Sequence, residues 1–173
     1  LWIWNKPVTV GEGEEKYKVL IVDSEGIGAF NEDENHDTRI FLLALLLSSY
    51  FIYNSMGTID ENALQNLSLI VNLSKQLEVS GQKAEDADPD QVSKYFPSFL
   101  WVVRDFALRL QDEYGTGINS KQYLENALKE QKGSSDAIEK KNKIRKLIRN
   151  YFKEKDCFTM VRPTEEEKDL QNV

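Results

Sequence analysis

The sequence is poor in cysteine and histidine, and this scarcity excludes several kinds of chemistry. Its one cysteine, Cys157, excludes an intrachain disulfide framework and fits a reducing compartment, so we expect a cytoplasmic protein. Its one histidine, His36, lies in an acidic stretch and leaves few options for a Ser–His or Cys–His catalytic pair. We interpret His36 as a solvated loop residue rather than a metal ligand, and Cys157 as a packing residue rather than a nucleophile.

Positively charged residues are fewer than negatively charged ones, and long apolar runs are also scarce. The net charge is -7, so no overall basic balance favours nucleic acid as a partner. The longest apolar stretch, residues 40–53, is shorter than the ~20 residues that a membrane helix needs. Any membrane contact is therefore expected only through regions outside this sequence. Hydrophobic residues still make up 40% of a 173-residue chain, which predicts one folded domain over residues 1–173.

Apolar, β-branched segments alternate with amphipathic ones, which predicts an α/β fold with a mixed, mostly parallel sheet flanked by helices. Strands are predicted at residues 1–4, 18–22, 50–53, 99–103 and 157–161. Helices are predicted at residues 40–47, from Thr58 or Asp60 to residue 77, near 120–132, and at 134–151. The run at 18–22 is typical of a strand buried on both faces. Residues 11–15, 31–37 and 80–91 are predicted to be loops, and the basic run at 140–149 a solvated helix face with one apolar stripe.

A polar turn follows the predicted strand 18–22 and has the sequence Asp23-Ser24-Glu25-Gly26. Ligands bind at the carboxyl ends of strands in open α/β sheets. A carboxylate in the position of Asp23 can hold Mg²⁺, usually through water, and Gly26 would let a backbone N–H approach a terminal phosphate. An Asp-x-x-Gly turn also occurs by chance, so an ordinary strand-to-loop turn is the favoured interpretation when the motif is considered alone.

A second polar pair, Arg104-Asp105, directly follows the predicted strand 99–103. A carboxylate at Asp105 could accept hydrogen bonds from N1–H and from the 2-amino group of guanine. Adenine lacks that pair of donors, so such a residue would select GTP over ATP. Arg104 could pack its planar guanidinium near the base. Considered alone, this dipeptide is again better explained as an exposed ion pair.

Taken together, these segments resemble the guanylate-binding proteins, a family of dynamin-like large GTPases. Residues 47–59 carry the most specific match and read Leu-Ser-Ser-Tyr-Phe-Ile-Tyr-Asn-Ser-Met-Gly-Thr-Ile. Residues 96–106 resemble the family's variant guanine motif, in which Arg-Asp replaces Asn-Lys-x-Asp. The match runs in the same order along nearly the whole chain. Ser24 stands where the family more often has threonine.

The resemblance implies roles for five residues. Asp23 would support Mg²⁺, Gly26 would meet the γ-phosphate, and Glu25 would take part in catalysis through the water network around the attacking water. Arg104 and Asp105 would recognise guanine, so GTP or GDP with Mg²⁺ is the expected ligand of the intact family. The family also implies a homodimer.

The 173 residues contain no Gly-x-x-x-x-Gly-Lys-Ser/Thr phosphate loop, and none of the nine glycines is followed by lysine. The resemblance implies an incomplete P-loop NTPase domain that lacks its first strand and is inactive in GTP hydrolysis, with the possibility that no nucleotide binds. Strand 18–22 would then pair directly with strand 50–53, or a second copy would supply a swapped strand. The alternative function is a pseudo-GTPase or dimerisation module without nucleotide binding.

Overall fold

The computed structural model describes residues 1–24, 34–67, 78–79, 81–83, 86–166 and 168–169. The chain divides into two compact units. We call Leu1–Leu47 the N-terminal unit and Ser48–Val173 the C-terminal unit.

Two short antiparallel ladders make up the sheet structure of the N-terminal unit. Strand β1 (Trp2–Ile3) pairs with β4 (Val22–Asp23), and β2 (Val8–Val10) pairs with β3 (Tyr17–Val19). The β2–β3 hairpin encloses the predicted loop at residues 11–15, where Gly11 has a φ of 95°. A side chain at that position would meet the carbonyl oxygen of Glu15, so the turn requires glycine.

The prediction of one buried strand over residues 18–22 is wrong. The segment forms the end of β3 and the start of β4, with Leu20 and Ile21 between them, and most of its side chains are exposed. A two-stranded antiparallel ladder leaves its faces open, whereas the prediction assumed a strand covered by helices on both sides. The ladders of this segment join β3 to β2 and β4 to β1, and its direct pairing with residues 50–53 stays a prediction.

Helix α1 (Glu34–Leu47) begins earlier than predicted. Residues 34–37 are therefore helical and not part of a loop, while residues 31–33 lie outside the described chain. Aspartate and asparagine are unfavourable in a helix interior, but acidic residues are favoured in the first turn by the helix dipole. An acidic stretch before an apolar run is thus compatible with a helical start as well as with a loop.

The C-terminal unit contains a three-stranded parallel sheet with the order β5–β8–β9. These strands are β5 (Tyr50–Met56), β8 (Ser98–Arg104) and β9 (Lys155–Thr159). Strands β5 and β8 extend beyond their predicted ends, and β9 begins two residues earlier than predicted. Together with the helices beside the sheet, this arrangement confirms the predicted α/β fold class.

Short elements and capped helices connect the strands of this sheet. They are α2 (Glu61–Asn66), β6 (Glu78–Val79), β7 (Gln82–Lys83), α3 (Pro89–Val92), a 3₁₀ turn (Ser93–Tyr95), α4 (Ser120–Ala127) and α5 (Asp136–Tyr151). Asp60 caps α2 as predicted, with its Oδ1 accepting from the Ala63 backbone N–H at 2.8 Å. The predicted loop 80–91 holds β7 and the start of α3, and the predicted helical residues 68–77 lie outside the described chain.

Aromatic side chains fill the core of the C-terminal unit on one face of the sheet. Phe99, Trp101 and Val103 alternate along β8 and are almost completely buried, as the two-residue period of a strand requires. The ring of Phe152, which directly follows α5, lies 4.7 Å from the ring of Phe99. Trp101 Nε1 donates to Ser55 Oγ at 2.9 Å, so the buried indole keeps a hydrogen bond.

The basic run on α5 is not a uniformly solvated face. Its predicted apolar stripe is confirmed, because Ile144, Leu147, Ile148 and Tyr151 are buried. However, Arg145 is also buried, with 2% of its surface exposed. Sequence pattern alone assigned this arginine to solvent, since basic side chains are seldom buried unless they are paired.

The partner of Arg145 is Glu61, the first residue of α2. The Nη2 atom of Arg145 contacts Glu61 Oε1, and its Nε donates to the Ala127 carbonyl at 3.1 Å. Lys141 Nζ lies 3.3 Å from Glu61 Oε2, and Gln131 Nε2 donates to Oε1 at 2.7 Å. This network links α2, the end of α4 and α5.

Burial acts to raise the pKa of Glu61, but the hydrogen bonds and charges of Arg145 and Lys141 outweigh it and lower the pKa overall. Glu61 therefore keeps its negative charge in the folded chain.

None of the helices in the described part of the chain has the length and apolar character that a membrane span requires.

Candidate functional site

The sequence-predicted site residues fall in both units. Asp23 is the last residue of β4 in the N-terminal unit, where it pairs with Trp2 and is exposed. Glu25 and Gly26 lie outside the described residues. Arg104 and Asp105 belong to the C-terminal unit. Their predicted roles remain predictions.

An exposed carboxylate such as Asp23 suits Mg²⁺ as a single ligand, direct or through water. The described residues contain no group of three or more His, Cys, Asp or Glu side chains that could hold a metal ion together. Magnesium ions bound with nucleotides take one or two protein carboxylates and complete their shell with phosphate oxygens and water. Asp23 offers one carboxylate to such an ion, and its role as a Mg²⁺ ligand stays a prediction.

Arg104 and Asp105 lie at the carboxyl end of β8, the central strand of the parallel sheet. Arg104 is the last strand residue and pairs with Met56 of β5, while Val103 pairs with Thr159 of β9. Loops that follow neighbouring parallel strands emerge on the same edge of a sheet, which is where α/β proteins bind ligands. The sheet therefore places Arg104 at the carboxyl end of its central strand and Asp105 directly after it, on the edge where α/β proteins bind ligands.

Asp105 has a left-handed backbone conformation with a φ of 53°. This conformation is costly for residues with a side chain, and aspartate and asparagine are among those that adopt it most readily. Hydrogen bonds fix the backbone on both sides of it. The Arg104 carbonyl accepts from Gly57 N–H at 2.7 Å, and Phe106 N–H donates to the Met160 carbonyl at 2.9 Å. The half-buried Asp105 is thus held in one backbone geometry.

The side chain of Arg104 is anchored to β5. Its Nε donates to Asn54 Oδ1 at 2.9 Å. Sequence reasoning missed Asn54. A usable signal was present, because the polar residues Asn54 and Ser55 directly follow the apolar run that ends at Tyr53, in the segment that resembles the family most closely.

Tyr123 of α4 links the segments that follow β5 and β8. Its hydroxyl oxygen accepts the backbone N–H of Ile59 at 2.9 Å, and its ring lies 5.3 Å from the ring of Phe106 in an edge-to-face arrangement. Burial raises the pKa of Tyr123, so the phenol remains protonated over the neutral range. The helix thereby supports both loops at the carboxyl edge of the sheet.

Replacing Tyr123 with phenylalanine is expected to lower the free energy of unfolding by about 1–2 kcal/mol, because it leaves the Ile59 N–H without its acceptor. Ile59 is buried, so water replaces that acceptor poorly. Urea unfolding of both proteins measures the difference. Tyr114, which is exposed, provides the matched control, and Tyr114→Phe should leave the unfolding free energy unchanged. Equal stability of the Tyr123→Phe variant and the wild type would contradict this role for the hydroxyl.

Cys157 lies in β9 and is buried. Burial, with a smaller contribution from the charge of Asp156, raises the pKa of its thiol to about 12. A thiol that stays protonated is a poor nucleophile, which agrees with the prediction that Cys157 is a packing residue.

Known proteins resemble this chain over its whole length. The family description "Guanylate-binding protein, N-terminal domain" matches residues 1–173. Guanylate-binding protein 7 of Mus musculus is 39% identical over 176 aligned residues, and guanylate-binding protein 7 of Homo sapiens is 37% identical. Guanylate-binding protein 3 of Mus musculus is 36% identical. Each alignment covers 100% of this chain but only 27–28% of the relative, so the chain spans about a quarter of their length.

Proposed function

This chain belongs to the guanylate-binding protein family, and from that membership we propose that it is the part of a large-GTPase domain that recognises the guanine base of GTP and GDP. Residues 1–173 would form one partial GTPase domain. The relatives carry guanylate binding in their names, and Arg104-Asp105 is the pair of residues to which we assign that property here.

The observation that carries the proposal is the fixed backbone of Asp105 at the carboxyl edge of the parallel sheet. Guanine presents two neighbouring donors, N1–H and the 2-amino group, and a carboxylate offers two acceptor oxygens that match them. A rigid backbone reduces the ordering cost of making both hydrogen bonds at once. Adenine would leave the carboxylate unpaired, which is the basis for selecting guanine.

The remaining roles follow the same family pattern. Asp23 would hold Mg²⁺ that arrives with the nucleotide, Gly26 would place a backbone N–H against the γ-phosphate, and Glu25 would help to order the attacking water. The bound Mg²⁺ would neutralise charge on the phosphates. We further propose a cytoplasmic protein, because its single cysteine fits a reducing compartment, and a homodimer, because the family resemblance implies one.

Calorimetric titration of the chain with GDP and with ADP, each in the presence of Mg²⁺, tests this function. We expect a saturable heat with GDP and none with ADP. Circular dichroism of the same sample establishes that the chain is folded. A folded chain that binds neither nucleotide, or both equally, would contradict guanine recognition and favour the alternative of a dimerisation module.

Hydrolysis of GTP by this 173-residue polypeptide is expected to be undetectable. The chain contains no Gly-x-x-x-x-Gly-Lys-Ser/Thr motif, whose backbone N–H groups and lysine stabilise the transferred phosphoryl group. Charge stabilisation by a single arginine finger is already worth about 10³-fold or more in rate. Phosphate release measured with GTP, against a control without protein, checks the prediction. Ordinary turnover that remains through further purification would contradict it.

A further inference from the structure

The contact between Asn54 and Arg104 joins two strands diagonally across one face of the sheet. Asn54 pairs with Val102, and Met56 pairs with Arg104. The arginine side chain therefore extends back along the sheet to the preceding residue pair on the same face, where it meets the asparagine. Successive residues of a strand alternate between faces, and both residues lie on the face opposite to buried Trp101 and Val103. Diagonal neighbours of this kind are within reach of long side chains.

From this contact we infer that Asn54 is a positioning residue for guanine recognition, acting through Arg104. This inference rests on the proposed function, in which Arg104 and Asp105 form the base site. The Nε–Oδ1 bond fixes the last rotatable part of an exposed and otherwise flexible side chain. It therefore sets the orientation of the guanidinium plane before the nucleotide arrives.

The same end of β5 also holds the backbone of Arg104. Gly57 donates its N–H to the Arg104 carbonyl at 2.7 Å, three residues after Asn54. Gly57 has a φ of 86°, a conformation that favours glycine, so the chain turns sharply at this point. The short segment from Asn54 to Gly57, at the end of β5, thus constrains both the side chain and the carbonyl of Arg104, immediately before Asp105.

The chemistry of the anchor suits a residue that must still bind a ligand. Asn54 is neutral, so its amide oxygen orients the guanidinium without neutralising the positive charge. Arginine carries five N–H donors, and the contact uses one of them. Among the described residues, the ion pairs do not include Arg104, so no carboxylate there competes for the remaining donors.

Substitution of Asn54 separates positioning from structural roles. Asn54→Leu removes the acceptor at similar size, whereas Asn54→Gln keeps a neutral amide oxygen on a side chain that is longer by one methylene. We expect Asn54→Leu to weaken GDP binding about tenfold, the effect of one hydrogen bond to a charged group, and Asn54→Gln to bind GDP within about threefold of wild type. Asn126→Leu, a change of an exposed asparagine on α4, is the matched control for the substitution itself.

The coupling to Arg104 is measured in a double-mutant cycle with Arg104→Ala. If Asn54 acts through the arginine, Asn54→Leu will have no further effect on GDP binding in the Arg104→Ala background. An equal loss in both backgrounds, or wild-type binding by Asn54→Leu, would overturn the inference while GDP binding by the wild type still supports the proposed function. Failure of the wild type to bind GDP would overturn both. Thermal unfolding of each variant excludes loss of fold as the cause.

Discussion

Replacement of Asp105 by alanine is expected to weaken GDP binding by about 100-fold or more. The variant loses two charge-assisted hydrogen bonds to the base, each worth about 1.5–3 kcal/mol. The loss of about 100-fold corresponds to the lower end of that range for both bonds together. Calorimetry with GDP and Mg²⁺ measures the change. Asp136→Ala, which removes an exposed aspartate in the first turn of α5, should bind GDP as the wild type does.

A second substitution at the same position tests the pattern of donors and acceptors. In Asp105→Asn, the side chain offers one acceptor and one donor, which matches the N1–H and the 2-oxo group of xanthine. We expect this variant to prefer XDP over GDP, reversing the wild-type order. Wild-type affinity for GDP in a folded Asp105→Ala variant, or no change of preference in Asp105→Asn, would show that Asp105 does not contact the base.

Removal of the Glu61 carboxylate is expected to produce the largest loss of stability from any single ion pair described here. Glu61→Ala leaves the buried guanidinium of Arg145 without its charged partner, which should lower the free energy of unfolding by about 3 kcal/mol. The estimate takes the lower end of the usual range because the Glu61 side chain is 34% exposed and water can partly replace it. Guanidinium chloride unfolding measures the difference.

A matched control is the pair formed by Arg149 and Glu130, in which both side chains are largely exposed. Glu130→Ala should cost no more than about 1 kcal/mol, since water screens an exposed pair. Replacing both members of the buried pair, as Glu61→Leu with Arg145→Met, should recover most of the loss. If Glu61→Ala and Glu130→Ala destabilise the chain equally, the burial of Arg145 does not determine how much the Glu61–Arg145 ion pair contributes to stability.

The Glu61 pair also predicts a pH dependence. Because the folded-state pKa of Glu61 lies below its ordinary value of 4.5, the stabilisation is complete above that value and is lost as the pH falls through the lowered pKa. Unfolding free energies measured from pH 7 downward should therefore fall more steeply for the wild type than for Glu61→Gln below about pH 4.5.

The sequence predicted the central sheet well and the N-terminal strands poorly. Strand β8 was recognisable because Phe99, Trp101 and Val103 form a short apolar run of the kind found in covered parallel strands. Residues 18–22 are also largely apolar, yet the structure divides them between two strands in separate antiparallel ladders. Composition reports how apolar a segment is, but pairing partners decide whether its faces are covered.

The sequence indicated the candidate site residues that directly follow a strand. It did not indicate contacts that depend on the register between two strands. Arg104 and Asp105 were singled out because they directly follow an apolar strand and also match the variant guanine motif of the family that the sequence resembles. The sequence marks Asn54 as a polar residue after an apolar run, but its contact with Arg104 became visible only when the pairing of Met56 with Arg104 was known. The burial of Arg145 depends in the same way on Glu61, a partner on a distant helix, which no local pattern on α5 encodes.

The order of strands has a consequence for how the chain folds during synthesis on the ribosome. Strand β8 can pair with β5 as soon as Arg104 has left the exit tunnel, but β9 becomes available only after Thr159 has emerged. In that interval one edge of β8 carries unpaired backbone groups beside Phe99 and Trp101. Contacts between residues far apart in sequence are slow to form because a long loop must close first. The unpaired edge of β8 is thus exposed to intermolecular pairing and aggregation in the interval between synthesis of β8 and synthesis of β9.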